Sequence, residues 1–288
     1  MGTDLAHGEC QAGRLVGSPV PRREDARILR GRTRYLDDID PPGALHVAFV
    51  RSNHAHARVT AIRVPEDSPG LVAVLTAADV AGSARPLPLM PVEGAEIIGD
   101  AHPLLADGEV RYVGQPIAAV LAESRPLAED AAELVEVDYE PLDAVVDARE
   151  SDVALTRWQR TAGDVEGAFA AADHVVRATH FLPRLVGAPM ETRGVIASYD
   201  DGADLLTVWC SAQDSARPLA QLAHSLERPA DRIRMVVPDV GGAFGTKGAL
   251  PPEGAVVAVA AMRLGRPVKW AEDRLENFLA AWQGRGVG

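Results

Sequence analysis

Apolar residues in the first half of the chain occur in short runs that end near Pro, Gly, Asn or Asp. Such runs predict β-strands. The predicted strands cover residues 45–50, 59–64, 71–75, 110–112, 116–123 and 135–139. Thr76 is the predicted cap of a short helix, and Ser124 precedes a predicted helix over 126–134. Residues 81–105, with four prolines, predict a long surface loop.

The second half of the chain alternates helices and strands around one glycine-rich loop. The predicted helices cover residues 165–172, 216–226 and 255–264, and the predicted strands cover 174–181, 195–199, 205–210, 232–237 and 268–270. This pattern predicts a mixed α/β fold. The acidic, unpatterned residues 147–152 indicate a domain boundary nearby. We therefore expect a flexible tail at 1–24, a first domain at 25–150 and a second domain at 151–288.

The composition, 47% apolar and 24% charged residues, is that of a globular protein. The net charge is −12 and Lys and Arg form no block, so nucleic acid is not an expected partner. The two cysteines, Cys10 and Cys210, are too few and too far apart for a disulfide framework or a Cys-ligated metal centre within this chain. With no visible secretory signal or membrane-spanning stretch, a cytoplasmic location is expected.

The glycine-rich loop at 241–248 is the region most typical of a ligand site. Glycines let backbone N–H groups approach an anion, and the start of the following helix would add partial positive charge. A tight turn without a ligand remains the alternative. A Walker A motif is excluded, because Lys247 follows Thr246 and precedes Gly248. The Rossmann fingerprint is excluded by the spacing of the glycines.

The loop and its surroundings resemble the large subunits of the xanthine dehydrogenase, aldehyde oxidase and carbon monoxide dehydrogenase family. Six segments, in the order found in that family, carry the resemblance. They are RSNHAHA at 51–57, VRYVGQP at 110–116, VDYEPL at 137–142, APMETRG at 188–194, PDVGGAFGTK at 238–247 and LGRPVKWAEDR at 264–274. The chain is identified by this resemblance as the N-terminal portion of a molybdenum-binding large subunit.

The resemblance implies an α/β hammerhead domain followed by the first part of a molybdopterin-binding α+β domain. Members of the family oxidise an aldehyde or an N-heteroaromatic carbon, or carbon monoxide, with water as the oxygen source. The implied cofactor is molybdopterin in its cytosine dinucleotide form. FAD and 2Fe–2S clusters are implied on separate partner subunits, which suits a chain with two cysteines. The other implied partners are a small-molecule substrate and the C-terminal remainder of the large subunit.

The resemblance also implies roles for single residues. Gln213 matches the glutamine whose amide donates a hydrogen bond to an oxo ligand of molybdenum, and Phe244 would pack near the metal. These two are the implied catalytic residues, and the pterin rather than a side chain holds the metal. The implied cofactor-binding residues are Gln213, Gly241, Gly242, Ala243, Phe244 and Gly245, with Gly245 offering its N–H. The alternatives are a solvent-facing Gln213 and a Phe244 that is simply a core aromatic residue.

Other polar residues are expected to have structural roles. His54 and His56 are two positions apart and would share one face of a strand, where hydrogen bonding is favoured over metal binding. Glu191 and Arg193 are expected to form a salt bridge, with pocket lining as the alternative. The charged residues 272–274 predict a solvated or paired network.

The chain departs from the family's pattern in three places. Ala243 stands where the third glycine is usual, and Gly248 stands where purine-oxidising members have a substrate-binding glutamate, which disfavours a purine. Family large subunits continue well beyond the position of Arg285 and carry the general base there, so we expect no independent turnover. The alternatives are a remnant that serves only as a partner-binding or structural piece, and a generic nucleotide-binding module.

Overall fold

The computed structural model describes residues 16–65, 67–89, 93–99 and 102–282. The chain divides into two units, residues 1–34 and 35–288. The first unit contains the short helix α1 (Asp25–Ile28). Residues 1–15 of the predicted tail, together with Cys10, lie outside the described residues.

The second unit contains all the strands and the remaining helices of the described residues. The strands are β1 (Leu45–Arg51), β2 (Ala57–Arg63), β3 (Leu71–Thr76), β4 (Glu96–Ile97), β5 (Glu109–Val110), β6 (Pro116–Ala122), β7 (Glu136–Pro141), β8 (Thr156–Arg157), β9 (Gly194–Asp200), β10 (Leu205–Cys210), β11 (Ile233–Val236) and β12 (Val268–Ala271). The helices are α2 (Ala77–Val80), α3 (Arg125–Glu133), α4 (Val165–Ala171), α5 (Ala216–Ser225), α6 (Pro252–Leu264) and α7 (Arg274–Ala280).

One seven-stranded sheet joins the two halves of this unit, in the order β11-β10-β9-β12-β1-β6-β3. Strand β12 makes the join, because it pairs antiparallel with β9 and parallel with β1, where Leu45 lies opposite Val268. A parallel pair needs a long crossover connection, and the chain between β1 and β12 supplies it. The first half thus completes a sheet on which the second half is built.

Helix α6 lies at the centre of the core, against β9, β10 and β12. Its residues from Pro252 to Ala261 are all buried. The sequence of the helix is apolar on every side, which is typical of a helix inside a protein rather than at its surface. It ends at Gly265, whose φ of 62° is the left-handed conformation that terminates many helices. The sequence prediction of this helix and of its end is confirmed.

The predicted strands at 195–199, 205–210 and 116–123 are also confirmed. Strands β9 and β10 pair antiparallel, and all seven residues of β6 are buried. A smaller sheet, in the order β5-β2-β7, carries exposed cross-strand ion pairs. Arg63 lies 2.5 Å from Asp138 in one such pair.

The predicted surface loop at 81–105 is wrong in part, because several of its residues enter the core. Leu87 is buried and exchanges backbone hydrogen bonds with His102, at 2.8 and 2.9 Å. Leu104 and Leu105 are buried as well. Prolines limit regular secondary structure but do not prevent burial, provided that the remaining N–H and C=O groups find partners.

The predicted strand at 174–181 is also wrong. Among the described residues it pairs with no other strand, and Val176 is 89% and Phe181 73% exposed. A segment with an alternating sequence forms a strand only where a neighbouring strand pairs with its backbone and a core buries its apolar side chains. Here the segment at 151–186 lies almost entirely exposed.

The class of the fold is mixed α/β, as the sequence predicts. None of the helices in the described residues has the length and apolar character needed to cross a lipid bilayer.

A glycine at the start of β9 offers a test of this packing. A Cβ at Gly194 would lie 2.3 Å from Leu36 Cδ2 and 2.9 Å from the Trp270 carbonyl oxygen. We expect Gly194→Ala to lower the free energy of unfolding by about 1–3 kcal/mol, the usual cost of overpacking, as measured by urea titration. Gly82→Ala is the control, because nothing lies within 4 Å of a Cβ there. Equal stability of the two variants would contradict the packing.

Candidate cofactor site

The glycine-rich loop connects β11 to α6, and its backbone has positive φ angles at three positions. The angles are 94° at Gly242, 53° at Phe244 and 92° at Gly245. Glycine adopts such angles readily, but a residue with a side chain does so at a cost of about 1–3 kcal/mol. Phe244 is in addition 76% exposed, so burial of its ring does not offset the strain. Strain of this kind is concentrated in ligand-binding loops.

The loop is closed internally by a turn. The Thr246 N–H and hydroxyl both donate to the Ala243 carbonyl, at 3.0 and 2.8 Å. The Gly248 N–H donates to the Gly245 carbonyl at 3.4 Å. These donors are used within the loop and are therefore not available to a ligand. The Phe244 ring remains exposed to solvent.

The carboxylate of Glu191 holds the loop at both ends. Its Oε2 accepts hydrogen bonds from the Gly241 N–H and from Lys247 Nζ, each at 2.8 Å. The same oxygen accepts from Ser211 Oγ at 2.7 Å, and Oε1 accepts from the Leu36 N–H at 3.2 Å. Hydrogen bonds to an ionised group are about twice as strong as those between neutral groups. One carboxylate therefore joins four segments of the chain.

Burial and hydrogen bonding have opposite effects on this ion pair. Burial raises the pKa of Glu191, but the bonds from Lys247, Gly241 and Ser211 outweigh it and hold the pKa below its ordinary value of 4.5. Burial lowers the pKa of Lys247, whose side chain is completely buried, and the Glu191 carboxylate opposes that change. Glu191 is therefore a charged carboxylate at neutral pH, bound to a buried amine.

Gln213 lies beside the loop and is bound to it through both its backbone and its side chain. The Gln213 N–H donates to the Lys247 carbonyl at 2.9 Å. Its side-chain Oε1 accepts from the Gly245 N–H at 3.0 Å. The sequence does not predict this second bond, in which the Gly245 N–H binds Gln213, whereas the resemblance implies that this N–H is offered to the cofactor. This bond orients the amide so that the carbonyl faces the loop, and the NH₂ group keeps its capacity to donate to a ligand.

Helix α5 braces the end of the loop that leads into α6. Arg217 Nη1 donates to the Gly248 carbonyl at 3.0 Å, and Gln221 Oε1 accepts from the Leu250 N–H at 2.8 Å. The structure thus brings the predicted residues Gln213 and 241–245 together, with Gln213 exposed. The combination of an oriented amide donor and an exposed loop fits a ligand that carries hydrogen-bond acceptors.

The predicted contribution from the start of α6 is wrong. The first residues of this helix are buried, and Glu253 in its first turn is 1% exposed. Glu253 accepts a hydrogen bond from Arg51 Nη1 at 2.8 Å. The positive end of the helix dipole therefore faces an internal carboxylate and not a ligand at the surface.

The predicted salt bridge between Glu191 and Arg193 is wrong, because each residue has another partner. Glu191 pairs with Lys247, whereas Arg193 Nε donates to Glu272 at 2.9 Å and Nη2 lies 3.8 Å from Glu253. Arg193 and Glu272 are both almost fully buried. Their guanidinium–carboxylate contact fixes the segment that carries Glu191.

The predicted network at 272–274 is confirmed as a paired network. Besides the Glu272 contact, the Asp273 carboxylate accepts from the Glu276 N–H at 2.7 Å and caps α7. Arg274 Nη2 donates to the Pro189 carbonyl at 2.6 Å. These contacts attach α7 to the residues just before Glu191.

His54 and His56 lie between β1 and β2 rather than on a strand, so the predicted shared strand face is wrong. Both have the predicted hydrogen bonds. His54 Nδ1 lies 2.6 Å from Asn53 Oδ1, and His56 contacts the Asp143 carbonyl and Glu109, each at 2.6 Å. In the described residues no group of three or more His, Cys, Asp or Glu side chains is arranged to hold a metal ion.

Sequence reasoning did not identify Glu191, Lys247, Ser211 and Arg217 as parts of this arrangement. One signal was available for Lys247. It stands between a glycine-rich loop and an apolar helix, a setting in which a buried cation requires an acidic partner. The identity of that partner depends on the fold.

Two family models match the chain and together cover most of it. The aldehyde oxidase and xanthine dehydrogenase a/b hammerhead domain matches residues 30–143, and the molybdopterin cofactor-binding domain matches residues 146–287. The chain belongs to the xanthine dehydrogenase and aldehyde oxidase family of molybdenum hydroxylases. The family and fold class predicted from the sequence are confirmed. The loop, Gln213 and Glu191 all lie in the part that matches the cofactor-binding domain.

Individual relatives agree with this assignment. The large subunit of nicotine 6-hydroxylase from Paenarthrobacter nicotinovorans is 41% identical over 92% of this chain and 34% of that protein. The carbon monoxide dehydrogenase large chain of Afipia carboxidovorans is 38% identical over 91% of this chain and 35% of that protein. The structure of quinoline 2-oxidoreductase from Pseudomonas putida 86 superposes with a TM-score of 0.82 and 39% identity, covering 93% of this chain and 36% of that chain. The chain therefore spans about a third of the length of the relatives it matches.

The buried charges predict a large effect of removing one of them. Arg193→Met leaves the buried Glu272 and Glu253 without that guanidinium, and a broken buried ion pair costs about 3–5 kcal/mol. Arg63→Met is the control, because an exposed pair such as Arg63–Asp138 contributes at most about 1 kcal/mol. Urea titration measures both losses. Similar losses would contradict the different roles of the two pairs.

The low pKa of Glu191 predicts a dependence of stability on pH. Because the pKa is lower in the folded chain than its ordinary value of 4.5, the contribution of the charge is complete above that value. It is lost as the pH falls through the pKa of the folded chain. The difference in unfolding free energy between the wild type and Glu191→Gln should therefore narrow as the pH falls below about 4.5 and through the lower pKa of the folded chain. A constant difference over that range would disprove this assignment.

Proposed function

We propose that this chain forms the front part of the molybdenum-cofactor-binding catalytic subunit of a molybdenum hydroxylase, with molybdopterin bound at Gln213 and residues 241–245. The orientation of the Gln213 amide carries the proposal. Its oxygen accepts from the Gly245 N–H at 3.0 Å, so its nitrogen is the atom available to an acceptor on the cofactor. The match to a molybdopterin cofactor-binding domain supports the identity of that cofactor.

The space around the loop suits a bound group. A Cβ at Gly242 would lie 3.3 Å from both Phe244 Cε2 and Pro189 Cβ, so glycine keeps this part of the loop thin. At Gly245 nothing lies within 4 Å of a Cβ position, so there the positive φ alone requires glycine. Ala243, the departure from the usual third glycine, has no positive φ and is therefore compatible with the loop.

In this proposal the chain holds and orients the cofactor. Gln213 donates from its amide nitrogen to an oxygen of the bound group, the backbone of residues 241–245 lies against it, and Phe244 shields one side. Molybdopterin, when bound, supplies the metal at which oxygen from water is added to a substrate carbon and two electrons are taken up. A donor already fixed by two hydrogen bonds stabilises developing negative charge without reorganising.

The proposed substrate is an aldehyde or an N-heteroaromatic carbon, or carbon monoxide. Similarity to a nicotine 6-hydroxylase and to a quinoline 2-oxidoreductase supports the heteroaromatic option. A purine is disfavoured, since Gly248 offers no carboxylate beside Gln213 and Arg217.

We also propose the cytosine dinucleotide form of the cofactor, FAD and 2Fe–2S clusters on partner subunits, and a cytoplasmic location. A relative named as subunit gamma of the 6-hydroxypseudooxynicotine dehydrogenase complex supports an assembly of several subunits. The proposed domains are the hammerhead at 25–150 and the cofactor-binding part at 151–288, after the tail at 1–24.

Exposed apolar side chains support a further polypeptide over this chain, such as the remainder of a large subunit. On α7, Leu275 is 72% and Leu279 51% exposed, and Val176 is 89% exposed in the segment at 151–186. Large exposed apolar side chains that lie together, such as Leu275 and Leu279 one helical turn apart, mark interaction sites. The same surface is compatible with a second candidate function, a catalytically incompetent piece that only binds a partner and holds no molybdopterin.

Gly242→Ala tests the proposed cofactor site. The variant crowds Phe244 and Pro189 at a positive φ, so we expect about tenfold less retained molybdopterin, a factor that corresponds to about 1.4 kcal/mol. Gly43→Ala is the control, because it has a similar φ of 72° but nothing within 4 Å of a Cβ. The chain is purified from a bacterium that makes molybdopterin and is assayed for molybdenum and pterin fluorescence. Equal retention by the two variants would refute the site, and a wild type without molybdenum would favour the partner-binding alternative.

A further inference from the structure

Glu191 is not part of the glycine-rich loop, yet it is bound to both ends of it. Its carboxylate accepts from the Gly241 N–H and from Lys247 Nζ, each at 2.8 Å. Its backbone N–H also donates to the Gly241 carbonyl at 3.1 Å. Three hydrogen bonds from one residue therefore fix the distance between the first and last parts of the loop.

Gly241 is required for the approach of Glu191 rather than for an unusual backbone angle. A Cβ at position 241 would lie 2.6 Å from Glu191 Cβ and 3.3 Å from the Glu191 nitrogen. Side-chain atoms do not approach so closely without a shift of the backbone. Gly242 and Gly245, in contrast, have positive φ angles. The glycines of the loop thus serve two different physical requirements.

Lys247 transmits this constraint to Gln213. Its side chain is bound to Glu191, and its carbonyl accepts from the Gln213 N–H at 2.9 Å. Gly245, two residues earlier, donates to the Gln213 side chain. A shift of the loop at Lys247 therefore disturbs both contacts that orient the Gln213 amide.

The contacts of Glu191 argue against a role in proton transfer. Both carboxylate oxygens accept hydrogen bonds, and the side chain is only 16% exposed. A carboxylate that is surrounded by donors and paired with a buried amine is a poor acceptor for a further proton. Holding its neighbours in place is the function that its surroundings allow.

We propose that Glu191 is a positioning residue, which fixes the glycine-rich loop through Gly241 and Lys247 and thereby orients the Gln213 amide toward the cofactor. The link to the cofactor rests on the proposed function, whereas the effect on the loop does not.

The test measures hydrogen exchange of backbone amides by NMR in the full chain without cofactor. In Glu191→Gln the neutral amide cannot balance the Lys247 amine, so we expect the Gly245 N–H to exchange about ten- to hundredfold faster, the factor that a lost charged hydrogen bond predicts. Glu123→Gln is the control. It removes the same charge from an exposed carboxylate that binds Arg266, and the exchange of Gly245 should stay unchanged.

A second variant tests whether the unpaired Lys247 amine causes the faster exchange in Glu191→Gln. Lys247→Met in the Glu191→Gln background removes the buried amine that the first change leaves unpaired. We expect the double variant to regain part of the protection of Gly245. If Glu191→Gln does not fold, Ser211→Ala and Lys247→Met, which each remove one donor from the carboxylate, should accelerate the same amide.

The pattern of exchange distinguishes positioning from general stabilisation. Positioning predicts acceleration at 241–247 and at the Gln213 N–H, with strand β6 unchanged. Exchange at Gly245 within twofold of the wild type, or equal acceleration in β6, would overturn the proposal. Molybdopterin content is measured in parallel, and an altered loop in a chain that never binds the cofactor would refute the proposed function while leaving the positioning role intact.

Discussion

The hydrogen bonds of the Glu191 carboxylate are the constraint on which the candidate site depends. A buried amine on Lys247 is stable only beside a charged partner, and that partner also binds Gly241, Ser211 and the Leu36 backbone. The requirement to neutralise one buried charge therefore brings distant segments to one point. A loop that contains two glycines at positive φ would otherwise have many conformations.

The rest of the fold holds Glu191 and the glycine-rich loop in place. In the seven-stranded sheet, β9 begins directly after Arg193 and β10 ends directly before Ser211. The buried helix α6 fixes the C-terminal end of the loop. Arg193 binds Glu272, and Arg274 binds the Pro189 carbonyl, so the segment with Glu191 is held from both sides. The site is thus rigid where it is held and exposed at Gln213 and Phe244, an arrangement suited to binding a large cofactor.

The sequence predicts those parts of the structure that local pattern determines. Helix α6 is recognised from an apolar run with prolines at its start and Gly265 at its end, and β6 from a continuous apolar run. Local pattern fails where the outcome depends on a distant neighbour. The strand predicted at 174–181 finds no partner strand in the described part of the chain, and leucines of the proline-rich segment enter the core.

The same distinction applies to the candidate site. The resemblance to a known family identifies Gln213 and the glycine-rich loop, and the structure brings them into contact. The partners of Glu191 and Arg193 could not be predicted from the sequence. Two carboxylates, Glu191 and Glu272, and two cations, Arg193 and Lys247, can pair in more than one way until the fold sets the distances. The bond between Gly245 and the Gln213 side chain likewise depends on a rotamer that no sequence pattern specifies.

We propose that the loop and Gln213 form a preorganised site for molybdopterin. The most direct test is a crystal structure of the chain purified with its cofactor, together with any subunits that accompany it. We expect the pterin to lie against residues 241–245 and the Gln213 amide nitrogen to lie within hydrogen-bond distance of an oxygen on the bound group. We also expect the Glu191–Lys247 contact to be intact. Cofactor bound elsewhere, or a loop that has moved away from Glu191 to accommodate the cofactor, would contradict a preorganised site.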